Sequence, residues 1–71
     1  MSLIYRRVDK ILSGNAGGEV REGDRLLVET AGVPREGELV LVRSDGGTES
    51  LLRWSGEGEC VGLVVGIKRR L

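Results

Sequence analysis

From Val20 onward, short apolar runs alternate with glycine-bearing polar turns, the pattern of consecutive β-strands. Arg25-Leu26-Leu27-Val28-Glu29 follows Glu22-Gly23-Asp24, and Leu39-Val40-Leu41-Val42-Arg43 follows Glu36-Gly37-Glu38, so each run reads as a strand entered through a glycine turn. The two stretches are near-copies. Setting Arg21-Glu22-Gly23-Asp24 over Arg35-Glu36-Gly37-Glu38 aligns Leu26, Leu27 and Val28 with Val40, Leu41 and Val42, an offset of fourteen residues. That period is shorter than the roughly 20 residues of the smallest solenoid repeats, which predicts neighbouring strands of one sheet rather than a repeat array. Pro34 lies between them, where its fixed φ suits a turn and its missing N–H costs no ladder bond.

Asp45-Gly46-Gly47 predicts a hairpin with a primed turn, because Asp-Gly tolerates the positive φ such a turn demands, and Thr48 to Trp54 is its return strand. A glycine-rich turn, Ser55-Gly56-Glu57-Gly58-Glu59, leads into Cys60-Val61-Gly62-Leu63-Val64-Val65-Gly66-Ile67, which is uncharged and apolar on both faces. A strand of that kind is either central to the fold or covered by a partner. The first nineteen residues read two ways. Ile4, Val8, Ile11 and Leu12 fall at helical spacing with Gly14 placed to cap a helix ending near Ser13, whereas Ile4, Arg6, Val8 and Lys10 against Tyr5, Arg7 and Asp9 alternate as a strand would. Gly14-Asn15-Ala16-Gly17-Gly18 reads as a flexible loop. The expectation is one mainly β domain. Residues 1–13 form a strand or short helix, and residues 14–71 form a small coiled or barrel-like antiparallel sheet of five to six strands.

Composition narrows the chemistry. Seventy-one residues allow a single small core, with no internal disulfide from one cysteine and no phenylalanine, so self-association is expected to help complete it. The chain has no histidine, which excludes ordinary zinc or haem sites and Ser-His-Asp or Cys-His catalysis; no cofactor is expected. Eleven basic and eleven acidic residues cancel, leaving no broad positive field to gather nucleic acid, although local patches remain open to it. No run approaches the roughly 18 apolar residues that cross a bilayer, and Arg6, Arg7, Asp9 and Lys10 interrupt any leader-like core, so a cytoplasmic protein without membrane contact is expected.

Few residues invite specific chemistry. The loop Gly14 to Gly18 lacks the Gly-Lys-Ser/Thr ending of a phosphate-binding P-loop. Cys60, heading the most apolar strand, reads as a small buried hydrophobe. Glu57 and Glu59 are paired only along the chain, and Trp54 reads as a core or interface residue. Lys68-Arg69-Arg70 is a short basic tail, either a solvated edge or a patch for phosphate.

The order of these motifs resembles the catalytic domain of LexA-type autopeptidases and, in part, their signal-peptidase relatives. Gly23-Asp24 opens one strand, Gly37-Glu38 opens the next, a hairpin returns to Leu52-Arg53, and Val61-Gly62-Leu63-Val64 begins the terminal strand. The resemblance covers about residues 14 to 71 and implies a Ser-Lys dyad, yet Asn15 and Ala16 stand where the serine is expected and Leu52 where the lysine before Arg53 is expected. An amide and an isobutyl group can neither attack nor accept a proton. The family's DNA-reading module also has no counterpart before residue 14. The leading expectation is therefore a catalytically silent domain acting in protein association. The expected homodimer has an interface that includes Trp54, Val61, Leu63, Val64, Val65 and Ile67, and the resemblance implies a transcriptional or stress-response regulator as its context. The alternative is an SH3-like β-barrel module that binds nucleic acid or peptide through Arg43, Arg53, Lys68, Arg69 and Arg70; clustering of basic residues on one face would favour it. Residual hydrolysis through Ser13 or Ser50 is the third reading.

Overall fold

A computed structural model describes residues 2–69. Five strands and one short helix follow in the order β1 (Leu3–Arg7), α1 (Lys10–Gly14), β2 (Arg25–Glu29), β3 (Leu39–Arg43), β4 (Glu49–Arg53) and β5 (Glu59–Lys68). The N-terminal segment divides between the two readings: Ile4 lies in a strand and Val8 outside any helix, so the helical spacing holds only at Ile11 and Leu12. The alternating part becomes β1, and the apolar pair Ile11-Leu12 becomes α1, N-capped by Asp9, whose carboxylate accepts the Leu12 N–H at 2.8 Å. Gly14 to Gly18 is not a free loop. Ala16 is buried in the core, its N–H reaches the Ser13 carbonyl and its carbonyl accepts from Glu19, so the segment is a tight turn that returns the chain across the sheet.

All strands pair antiparallel in one sheet of order β1-β2-β5-β3-β4. The uncharged run is thus the central strand. Its C-terminal half pairs with β2 and its N-terminal half with β3, meeting at Leu63, which faces both Glu29 and Val40. Each pairing contains one bulge. Register slips between Leu27 and Val28, leaving Val65 as the extra residue of β5, and between Leu41 and Val42, leaving Val61. The near-copies of the sequence are therefore copies in structure. Each turn–strand unit slips at the equivalent position, opposite a Val-Gly-Leu or Val-Gly-Ile step of β5.

The turns repeat as well. Gly23 and Gly37 both adopt positive φ, +94° and +86°, which favours glycine there. The Asp24 carboxylate accepts the Arg21 N–H at 2.9 Å, as the Glu38 carboxylate accepts that of Arg35 at 2.7 Å. Gly23 and Asp24 exchange backbone hydrogen bonds with Val8 at the end of β1; Gly37 and Glu38 do the same with Trp54 at the end of β4.

Paired residues of a ladder share a face, and so do residues two apart. The inner face carries Leu26, Val28, Leu41, Leu51 and partly buried Leu39 and Val64, joined by Val8, Leu12, Ala16 and Val20 into one core. The sheet coils tightly enough that its two edge strands meet on this face: Arg6 of β1 and Glu49 of β4 form an ion pair at 3.0 Å. The β3–β4 hairpin forms where the sequence placed it, with a different turn. Only Gly47 has positive φ, +83°, and Ser44 N–H bonds to the Thr48 carbonyl, so Asp45 to Gly47 make a three-residue loop rather than a primed two-residue turn.

Candidate anion-binding face

The outer face of the β1-β2-β5 half carries the most distinctive chemistry. Arg7 pairs with Arg25 across β1 and β2, and Arg25 pairs with Lys68 across β2 and β5. Adjacent strands lie about 4.8 Å apart, so three cationic residues stand in one row about 10 Å long at the end of the sheet. Like charges directly opposite one another destabilise a sheet by a few tenths to about 1 kcal/mol per pair. All three are exposed, and none pairs with a carboxylate among the described residues.

Arg69 extends the row. Its Nε lies 3.7 Å from Asp24 Oδ2, and Asp24, 2% exposed, is fixed in turn by the Arg21 N–H. A buried carboxylate thereby holds a half-exposed guanidinium beside the row. Arg7, Gly23, Arg25, Lys68 and Arg69 line an open groove of about 360 Å³. Two further grooves begin at Arg7 but include Asp9, Glu22 and Glu49, so the cationic surface has an acidic border. One step along the strands, on the same face, the next row is Tyr5, Leu27 and Gly66, with Tyr5 64% exposed.

The basic residues named from sequence divide. Lys68 and Arg69 join this face, and Arg70 lies outside the described residues. Arg43 and Arg53 point to the inner side and are engaged by Glu49 at 3.5 Å and Glu19 at 3.1 Å, so they form no common patch with the others. Arg7 and Arg25 escaped sequence reading because their neighbourhood depends on the β1–β2 register, which no local motif reveals. The one signal was that both bound apolar strand runs that end or begin with arginine.

Of the two degenerate dyad positions, Asn15 caps α1 and reaches the Glu49 carbonyl at 3.5 Å, while Leu52 lies on the outer face of β4, opposite in direction to the buried Leu51. They do not converge on one site. Ser13 lies on α1 and Ser50 on the outer face of β4 beside Val42, with no lysine paired to either. Cys60 faces Val42 from β5; burial pushes its thiol above its ordinary pKa, and a hydrogen bond from the Gly62 backbone pulls weakly the other way, so it is no activated thiolate. Among the residues expected at an interface, Val61 and Val64 pack on the core, Leu63 and Trp54 are half-buried, and Val65 and Ile67 are exposed.

No helix among the described residues is long and apolar enough to cross a membrane. Comparison with protein families, curated proteins and solved structures returned no match. The LexA-type resemblance accordingly rests on the sequence motifs alone.

Proposed function

We propose that this protein is a small coiled β module that binds a polyanion at the row formed by Arg7, Arg25 and Lys68, with Arg69 at its end. The observation that carries this reading is the cross-strand row itself. Three cations in register repel one another in the free protein, and a ligand's phosphates would relieve that repulsion while accepting charge-assisted hydrogen bonds. The chain's net charge is zero with the row included, so the rest of it carries an acidic excess that keeps the interaction local and weak, in the micromolar range or above at physiological salt. A titration of labelled inorganic polyphosphate at low salt tests it. Binding should weaken steeply with salt, and Arg25→Glu should abolish it. Binding unaffected by Arg25→Glu would refute the assignment.

A second reading, the self-association that the LexA-type resemblance implies, is favoured by β1. It is an edge strand with Leu3, Ile4 and Tyr5 all exposed, and such an edge invites another strand. Strand β5 is already flanked by β2 and β3, so a dimer contact there would use the exposed side chains of Val65 and Ile67 rather than the strand's hydrogen bonds. Sedimentation at micromolar concentration should show a dimer under this reading; a monomer refutes it.

A further inference from the structure

Resting on the polyanion reading, we infer that the ligand is a single-stranded nucleic acid, one base of which stacks on Tyr5 while the adjoining phosphates lie on Arg7, Arg25, Lys68 and Arg69. A bare polyphosphate needs cations alone. Here the row next to the cations, on the same face, offers an aromatic ring left largely to solvent, flanked by Leu27 and then by Gly66. Tyr5 is the chain's sole tyrosine. Two residues of strand separate the rows by about 7 Å, the scale of the distance between phosphate and base within one nucleotide.

The glycine of that row matters for its flatness. Gly66 has no positive φ that would demand glycine, and a Cβ built there meets only Leu27 carbons at 3.6 and 3.8 Å, an ordinary contact. Backbone geometry therefore does not require glycine at this place, and its effect is a low floor beside the Tyr5–Leu27 pair. A planar base lying over such a floor gains dispersion and stacking, whereas a duplex presents only its edges and backbone because its base faces are covered. Arginine neighbours add to this, since a guanidinium binds phosphate bidentately and also stacks on a base plane.

Anisotropy titrations at low salt against three probes test the inference: a labelled 12-nucleotide single strand, a duplex of the same sequence, and polyphosphate of similar charge. The single strand should bind tightest. Tyr5→Ala should weaken single-strand binding roughly 5- to 150-fold, the range of one base stack, and leave polyphosphate binding unchanged. Tyr5→Phe should restore it, and circular dichroism of both variants should match the wild type. Equal affinity for single strand and polyphosphate, with Tyr5→Ala neutral, overturns the inference while leaving the polyanion site standing. Insensitivity of all three probes to Arg25→Glu overturns the site itself.

Discussion

The two turn–strand units, residues 21–29 and 35–43, share a turn, a bulge position and a clamp onto a neighbouring strand, but they put equivalent side chains on opposite faces. Both run antiparallel to β5 on opposite sides of it, so they are related by an approximate two-fold rotation along that strand, and such a rotation exchanges the faces of the sheet. Leu26 belongs to the inner-face core, whereas its counterpart Val40 faces the other side of the sheet and is fully buried there between Leu52 and Leu63; Leu27 faces outward and is half-buried, where Leu41 is fully buried in the core. The second unit's counterparts of Arg7, Arg25 and Lys68 are Arg53, Leu39 and Val64, and the counterpart of Tyr5 is the buried Leu51. One frame thus yields a core wall in one half and an exposed cationic row in the other. Sequence differences at a few register positions decide which.

The sharpest break between the units is in packing. Leu41→Ala removes a fully buried side chain from the centre of the core and should cost about 2–5 kcal/mol, enough to unfold a domain of this size. Leu27→Ala, at the equivalent position on the half-buried outer face, should cost about 1 kcal/mol or less. Urea titration followed by Trp54 fluorescence measures both. Equal costs would mean that Leu27 is as closed off as Leu41, in conflict with its half-burial.

The glycines opposite the bulges differ in the same sense. A Cβ at Gly62 would lie 2.5 Å from Val28 Cγ1 and 2.7 Å from the Glu29 carbonyl oxygen, so the inner face and the backbone itself leave no room. Gly62→Ala should therefore destabilise by about 1–3 kcal/mol. Gly66→Ala meets only ordinary contacts and should be neutral or stabilise by up to about 1 kcal/mol through the unfolded chain. The turn carboxylates should follow with a smaller gap. Asp24 is buried and Glu38 exposed, although they accept the equivalent N–H groups of Arg21 and Arg35, so Asp24→Ala should cost about 1–3 kcal/mol and Glu38→Ala about 1 or less. Thermal melts that rank the turns in the reverse order would show that the first turn's burial does not govern its strength.

Much of this frame was legible in the chain. The limits of β2 and β3 follow from glycine turns and β-rich runs, and the fourteen-residue copy does relate strands of one sheet. The sequence pattern overruns β4 by one residue at each end and stops one residue short of β5 at each end, because hydrogen-bond ladders end where partners end rather than where hydrophobicity does. That β5 is apolar on both faces has its reason in two bulges, each setting consecutive residues against one partner, which alternation alone cannot show. Its shelter comes from β2 and β3 within the chain. The cationic face was half legible: Lys68 and Arg69 stood together in sequence, whereas Arg7 and Arg25 join them only through pairings between segments some twenty and forty residues apart, which no local pattern encodes.

The smallest expected effect bears most directly on what the row is for. Arg25→Leu installs the residue that the second unit carries at the same place, Leu39, and removes both like-charge contacts of the row, Arg7 with Arg25 and Arg25 with Lys68. The fold should gain about 0.2–1 kcal/mol at low ionic strength, and the gain should shrink as salt screens the repulsion over the Debye length. The matching change in the other half, Arg53→Leu, has the opposite sign, because Arg53 is paired with Glu19 at 3.1 Å on an exposed surface; it should lose at most about 1 kcal/mol. Chemical denaturation by urea, which leaves ionic strength unchanged, resolves the two at low and high salt. A stabilising Arg25→Leu that also loses polyanion binding would show a charge row held against stability for the sake of a ligand. A destabilising Arg25→Leu at every salt concentration would instead make the row a structural element, with its three cations supporting the sheet end rather than waiting for a partner.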